Sequence, residues 1–172
     1  ELTEQLQRQV TVLLSVREVA REASSTADLY HLLHRVIDQT LQNLKLDAGI
    51  IFVSEDGDLI PLAYRGLPPA IASALTRRRL TWNDPPLRPF QEATQAVRTR
   101  AEEQRGGPLS LSVGYQFSAV VPLWAQGRRR GLLEVARREE HSGVTQDMEV
   151  LTTVGQQVAV ALANTHLQET AA

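Results

Sequence analysis

Few residues in this chain have the type and spacing to do chemistry. Glu134 is the foremost acid. It stands between Leu133 and Val135 in an apolar run, on an expected central strand, and a carboxylate buried there must be paired. A ligand amine or one of the many arginines would serve. A structural salt bridge or an exposed strand end is the plainer reading. Asp56 and Asp58 lie close together, but Glu55-Asp56-Gly57-Asp58 reads as a hairpin turn, where Asp serves conformation rather than acid–base work. His31 and His34 are three apart on an expected helix, a spacing that can place two metal ligands on one face. No carboxylate or third histidine lies nearby in sequence, so they read as surface or edge positions flanking an apolar stripe. His141 falls in a polar loop and reads as solvated.

Other chemistries are excluded by what is missing. There are no cysteines, so disulfides, thiolate metal sites and cysteine nucleophiles are all absent. No Gly-x-Ser-x-Gly, phosphate-binding glycine loop, His-Glu-x-x-His or kinase set occurs. Arginines cluster at Arg77-Arg78-Arg79, Arg128-Arg129-Arg130 and Arg137-Arg138. Solvated edge positions that discourage sheet-edge pairing explain them; an anion site or an acidic partner is the functional alternative. The net charge of -2 over 172 residues and the lack of a helix-turn-helix pattern argue against nucleic acid. No apolar run approaches the ~20 residues of a membrane span, and no signal-peptide pattern opens the chain. A cytoplasmic location is expected.

The elements that position these residues follow from periodicity. Leu2, Leu6, Val10, Leu13, Val16 and Ala20 fall in steps of three or four, a coiled-coil-like seam. Asp28 to Leu44 is a second helix with a broad stripe through Leu29, Leu32, Leu33, Val36 and Ile37. Ser25 and Asp28 resemble a capping box at its start. Ala48–Ser54 and Leu59–Arg65 flank the Asp56-Gly57 turn as a hairpin. Pro69 to Leu75 reads as a short helix opened by proline. A further short helix is expected from Phe90 or Gln91 to Arg105. Phe117–Ala125 and Gly131–Val135, either side of Gln126-Gly127, make a second hairpin, too continuously apolar to have a wet face. A polar loop from Glu139 to Gly143 leads to Thr145, which is expected to cap a last helix to Leu167 with Asp147 and Glu149 in its first turn. Gly155, Ala159 and Ala163 give that helix a small-residue face, for a partner helix or for the sheet. The chain reads as a piece of a longer protein.

Val121-Pro122-Leu123, Gly127, Gly131-Leu132-Leu133 and a final helix carrying Leu151, Val158, Ala161, Leu162 and Asn164 resemble the GAF domain family of small sensor modules. Helix, hairpin, and a short helix after Gly66-Leu67-Pro68 follow the same order, so the resemblance covers about residues 27–167. It implies an α/β (α+β) fold with a central, mostly antiparallel sheet of five or six strands. The terminal helices would lie on one face and Pro69–Arg105 on the other, as a lid. Residues 1–26 would be a signalling and dimerisation helix, and 27–172 the domain proper. The implied function is a non-enzymatic sensory module of a bacterial signalling protein, of histidine kinase or diguanylate cyclase type. A ligand-free dimerisation module is the alternative.

Departures from the family pattern prune its ligands. Without cysteine no bilin can attach in the phytochrome manner. The lone lysine, Lys45, lacks the Asn-Lys-Phe-Asp-Glu context of cyclic-nucleotide sites, and haem would need a histidine better placed than His141. The segment Arg77–Pro108 lacks the family's glycine-rich strand and its Gly-Glu/Lys-Pro segment, so its lid is expected to be remodelled. Aromatics are scarce and concentrate in lid and strands. Candidate pocket residues are therefore Tyr64, Trp82, Phe90, Tyr115, Phe117, Trp124 and Glu134. The candidate homodimer seam is Leu2, Leu6, Val10 and Leu13 with Gly155, Ala159 and Leu162.

Overall fold

A computed structural model describes residues 26–77, 80–84, 87, 90, 92–99, 115–139 and 144–171. Helix α1 (Thr26–Leu44) is followed by the hairpin β1 (Ala48–Glu55) and β2 (Asp58–Arg65), then helix α2 (Pro69–Arg77). Two short strands follow, β3 (Leu80–Thr81) and β4 (Val97–Thr99). The second hairpin is β5 (Phe117–Ala125) with β6 (Arg128–Arg137), and helix α3 (Val144–Ala171) closes the chain. The six strands form one antiparallel sheet in the order β3-β2-β1-β6-β5-β4.

Both hairpins turn as their sequences require. Asp56 and Gly57 have φ of 51° and 86°, and Gln126 and Gly127 have 54° and 73°. Two successive left-handed residues are the type I′ geometry, whose twist matches the strands it joins. Pro61 cannot donate to a ladder. It sits beside the register shift opposite Ile51/Phe52, where an irregular ladder tolerates it.

Side-chain alternation splits the core into two layers. On one face Ile51, Leu133, Val135, Val121 and Leu123 pack with α1 and α3. On the other, Ile50, Phe52, Leu132 and Val120 meet Trp82, Leu87 and Phe90, with Ile71 and Leu75 of α2 alongside. Central strands covered on both faces explain the unbroken apolar runs. Gly155 lets α3 lie close on β5: a Cβ there would come within 2.5 Å of Val121 Cγ1.

Two expectations, a helix through 92–99 and a Thr145 cap, are corrected, and the small-residue face of the last helix is placed. No helix runs through 92–99. Val97–Thr99 pairs with Val120–Ser118 of β5 instead, because completing the ladder of a buried strand overrides the local helix propensity of an Ala/Gln/Glu-rich segment. The face bearing Gly155, Ala159 and Leu162 is buried in this chain's own core, so sheet packing claims it. Helix α3 begins at Val144, which places Thr145 inside its first turn. The expected seam Leu2, Leu6, Val10 and Leu13, the Ser25 cap, Leu109–Val113 and His141 lie outside the described residues.

Candidate functional site

Register brings one polar residue into the middle of the lid-side layer. Ile50, Glu134 and Val120 are directly opposite one another on the three central strands, and Tyr64 and Val97 extend the row at its two ends. Glu134 is 0 % exposed. It shares the face of Phe52, Leu132 and Ala136, not that of the helices. Its Oε1 makes no hydrogen bond, although the residue has another interaction.

Tyr115 packs against the same layer from just before β5. Its hydroxyl is buried and has no hydrogen-bond partner. Burial pushes that hydroxyl above its ordinary value near 10. The Arg138 guanidinium pulls the other way without completing a hydrogen bond of good geometry, and the Asp47 and Glu134 carboxylates add to the rise. A charged and polar group of this kind, set among apolar side chains, can orient a small polar molecule or hold a proton.

Trp82 anchors the lid at the other end. It is 4 % exposed; its Nε1 donates to Ser54 Oγ at 3.2 Å, and the Arg129 guanidinium carbon stands 4.7 Å over its ring. Phe90 is buried against the same layer at 1 % exposure. Trp124 pairs with Arg129 across the irregular end of the hairpin and donates its Nε1 to the Ala93 carbonyl at 2.6 Å. Thus Trp82, Phe90, Tyr115 and Glu134 are gathered on one face, with Trp124 at its margin.

The structure does not bring the other two aromatics to that group. Tyr64 is 42 % exposed at the sheet's edge. Phe117 points to the opposite layer, among the helices, because it is offset by one from Ser118 and side chains alternate.

Phe117 instead belongs to a knot that sequence reading missed. Arg137, expected to be solvated, is buried. Its Nη2 donates to Asp147 Oδ2 at 2.8 Å and to the Leu44 carbonyl at 2.9 Å. Its Nε donates to the Lys45 carbonyl at 3.2 Å, and its guanidinium lies 4.9 Å from the Phe117 ring centre. One side chain therefore caps the C-terminus of α1, pins the first turn of α3 and stacks on β5. The usable signal was a basic residue at the end of an apolar strand with an acid ten residues on. The neighbouring Arg138 donates its backbone N–H to Asp47 Oδ2 at 2.7 Å, so positions 137 and 138 both tie the end of β6 to the connection between α1 and β1.

The histidines of α1 make a surface cluster. His34 Nδ1 is 3.0 Å from the Tyr30 carbonyl, and its ring centre is 4.1 Å from that of Tyr30. Among the described residues no group of three or more His, Asp or Glu is placed to hold a metal.

Comparison with known proteins matches this architecture. A family model described as GAF domain matches residues 26–163. No curated protein matches the chain. Solved structures do. The GAF domain of a phosphoenolpyruvate-protein phosphotransferase from Coxiella burnetii is 18% identical with a TM-score of 0.76, over 95% of this chain and 98% of that one. The phycoerythrobilin-bound GAF domain of a cyanobacterial phytochrome is 18% identical with a TM-score of 0.70, over 94% and 97%. The GAF domain of a putative sensor histidine kinase from Pseudomonas syringae pv. tomato is 16% identical with a TM-score of 0.68, over 99% and 97%.

Proposed function

The chain belongs to the GAF domain family, and on that premise we propose that it is a non-catalytic sensory module that reports a small molecule through its terminal helices. The observation that carries this reading is the Tyr115 hydroxyl, buried without a hydrogen bond against the lid-side layer whose face also bears Glu134. Buried polar groups are nearly always satisfied, and a bound molecule would satisfy this one. The ligand would sit between Glu134 and Tyr115 at its polar end and Trp82 and Phe90 at its apolar end. Occupancy would bias the packing of α3 through the Arg137–Asp147 knot. That needs different affinity for two arrangements of the helices.

The output partner we favour is a bacterial histidine kinase or diguanylate cyclase, in a cytoplasmic homodimer joined through the terminal helices. One structural neighbour is described as the GAF domain of a putative sensor histidine kinase. Among the described residues no helix is long and apolar enough to cross a membrane. A second reading has its own support: Phe52, Leu87, Phe90 and Leu132 are almost wholly buried in the lid-side layer, so the protein's own side chains fill much of it. That favours a ligand-free dimerisation module.

Native mass spectrometry of the gently purified chain separates the two. A dimer carrying a small-molecule adduct is expected, with the adduct lost in Tyr115→Phe. A clean apo dimer transfers the assignment to the dimerisation module. A monomer at micromolar concentration would remove the helix seam from either reading.

A further inference from the structure

A cleft lies on the helix-bearing side of the sheet, where the tips of the two hairpins meet the start of α1 and the later turns of α3. Its volume is about 610 Å³, within the roughly 300–1,000 Å³ usual for small-molecule sites. Its wall is apolar: Leu29 of α1, Ile60 and Leu62 of β2, and Leu162 of α3. Its charged lining comes from two different tips. Glu55 and Asp56 stand on the β1–β2 turn, and Arg128, Arg129 and Arg130 on the start of β6.

These opposite charges do not neutralise one another. Among the described residues, the ion pairs seen are Arg65–Asp38 and Arg137–Asp147, and neither lies here. Arg130 is committed to the Ala125 carbonyl and Gln126 Oε1. Arg129 is placed differently: its guanidinium carbon stands 4.7 Å over the Trp82 ring and its Nη1 is enclosed, so Arg128, exposed on the same lip, is the cation open to the cleft. Separate acidic and basic lips with an apolar wall between them fit a molecule bearing both charges and a greasy body. A purely anionic ligand would meet Glu55 and Asp56. A purely cationic one would meet Arg128.

We propose that this cleft is a second small-molecule site, for a free α-amino acid with an apolar side chain. The carboxylate meets Arg128, the ammonium meets Glu55 and Asp56, and the side chain lies on Leu29, Leu62 and Leu162. The assignment is independent of the lid-side reading, and its apolar wall of Leu29, Leu62 and Leu162 belongs to the helix-bearing face. Because the adjacent Arg129 stacks on Trp82, a carboxylate bound at Arg128 alters the ring's surroundings. Trp82 is thus a built-in reporter, and the cleft has a direct line to the lid.

The test is titration calorimetry and tryptophan emission of the whole 172-residue chain, in a Trp124→Phe background that leaves Trp82 alone. The probes are L-leucine, L-methionine and L-phenylalanine, with 4-methylvalerate and isoamylamine as analogues lacking one charge each. At least one amino acid is expected to bind and shift Trp82 emission. Loss of either charged group should weaken binding about tenfold or more, as for hydrogen bonds to charged partners. Glu55→Gln and Arg128→Gln, both at exposed positions, should weaken it by a similar factor, and Arg129→Gln should also abolish the emission change. No binding by any of the three amino acids at millimolar concentration overturns the proposal. So does equal binding of the single-charge analogues, or binding unchanged in Glu55→Gln and Arg128→Gln. Binding that instead disappears in Tyr115→Phe would move the ligand to the lid side and overturn the cleft while supporting the first site.

Discussion

Asp147→Ala should cost this fold more stability than any exposed substitution. Asp147 and Arg137 are 2.8 Å apart, with side chains only 2% and 3% exposed. Removing the carboxylate leaves a guanidinium buried, held by the Leu44 and Lys45 carbonyls and the Phe117 ring but with no counter-charge. Breaking one side of such a pair typically costs about 3–5 kcal/mol. The two surviving carbonyl bonds and the ring place this case at the lower end, about 3 kcal/mol. For a domain of this size that is a fall in Tm of roughly 6–12 °C. Denaturant unfolding with hydrogen exchange checks both size and place. Protection should fall first in the opening turns of α3 and the last turn of α1. The double variant Arg137→Met, Asp147→Leu should be less destabilised than Asp147→Ala, since it buries no charge. A cost of Asp147→Ala below about 0.5 kcal/mol, the range of ordinary surface changes, would refute the knot as a structural element. Strict additivity in the double-mutant cycle would do the same.

Gly155→Ala gains helix propensity but sets a methyl 2.5 Å from Val121 Cγ1, so a net loss of about 1–2 kcal/mol is expected. A Val121→Ala background should relieve most of the clash, as paired chemical denaturation would show. Gly127→Ala has open space around it and φ of +73°, so its cost is conformational alone, about 1 kcal/mol by thermal melt. Tyr115 has a folded pKa raised above its unfolded value. The folded state therefore holds its proton longer, and the associated stability is full below pH ~10 and is lost as pH rises through the folded value. Tyr115→Phe should flatten that alkaline loss and leave neutral-pH stability unchanged or improved, because it removes a buried hydroxyl with no partner; a pH series of urea midpoints reads both.

The two hairpins, the flanking helices and the family were legible in the sequence because each rests on local physics. Asp56-Gly57 and Gln126-Gly127 are turns by backbone preference alone. The stripe from Leu29 to Leu44 is a helix by its period, and the run Phe117–Leu123 is a doubly covered strand by its lack of alternation. The unusual position of Glu134, an acid inside such a run, was also visible.

What tertiary structure decided is which side of the sheet each residue serves and what meets it there. A one-residue step separates Phe117, among the helices, from Ser118, in register with lid-side Ala136; no pattern inside the strand fixes that parity until its neighbours are in place. Val97–Thr99 became a strand because β5 offered an open ladder, a contact about twenty residues away in sequence. Arg137 looked like a solvated charge until folding brought the end of α1 and the start of α3 to it. Local preferences are written in adjacent residues and survive in the sequence; partners for a charge or a face are set by long-range packing, which exists only once the sheet has closed.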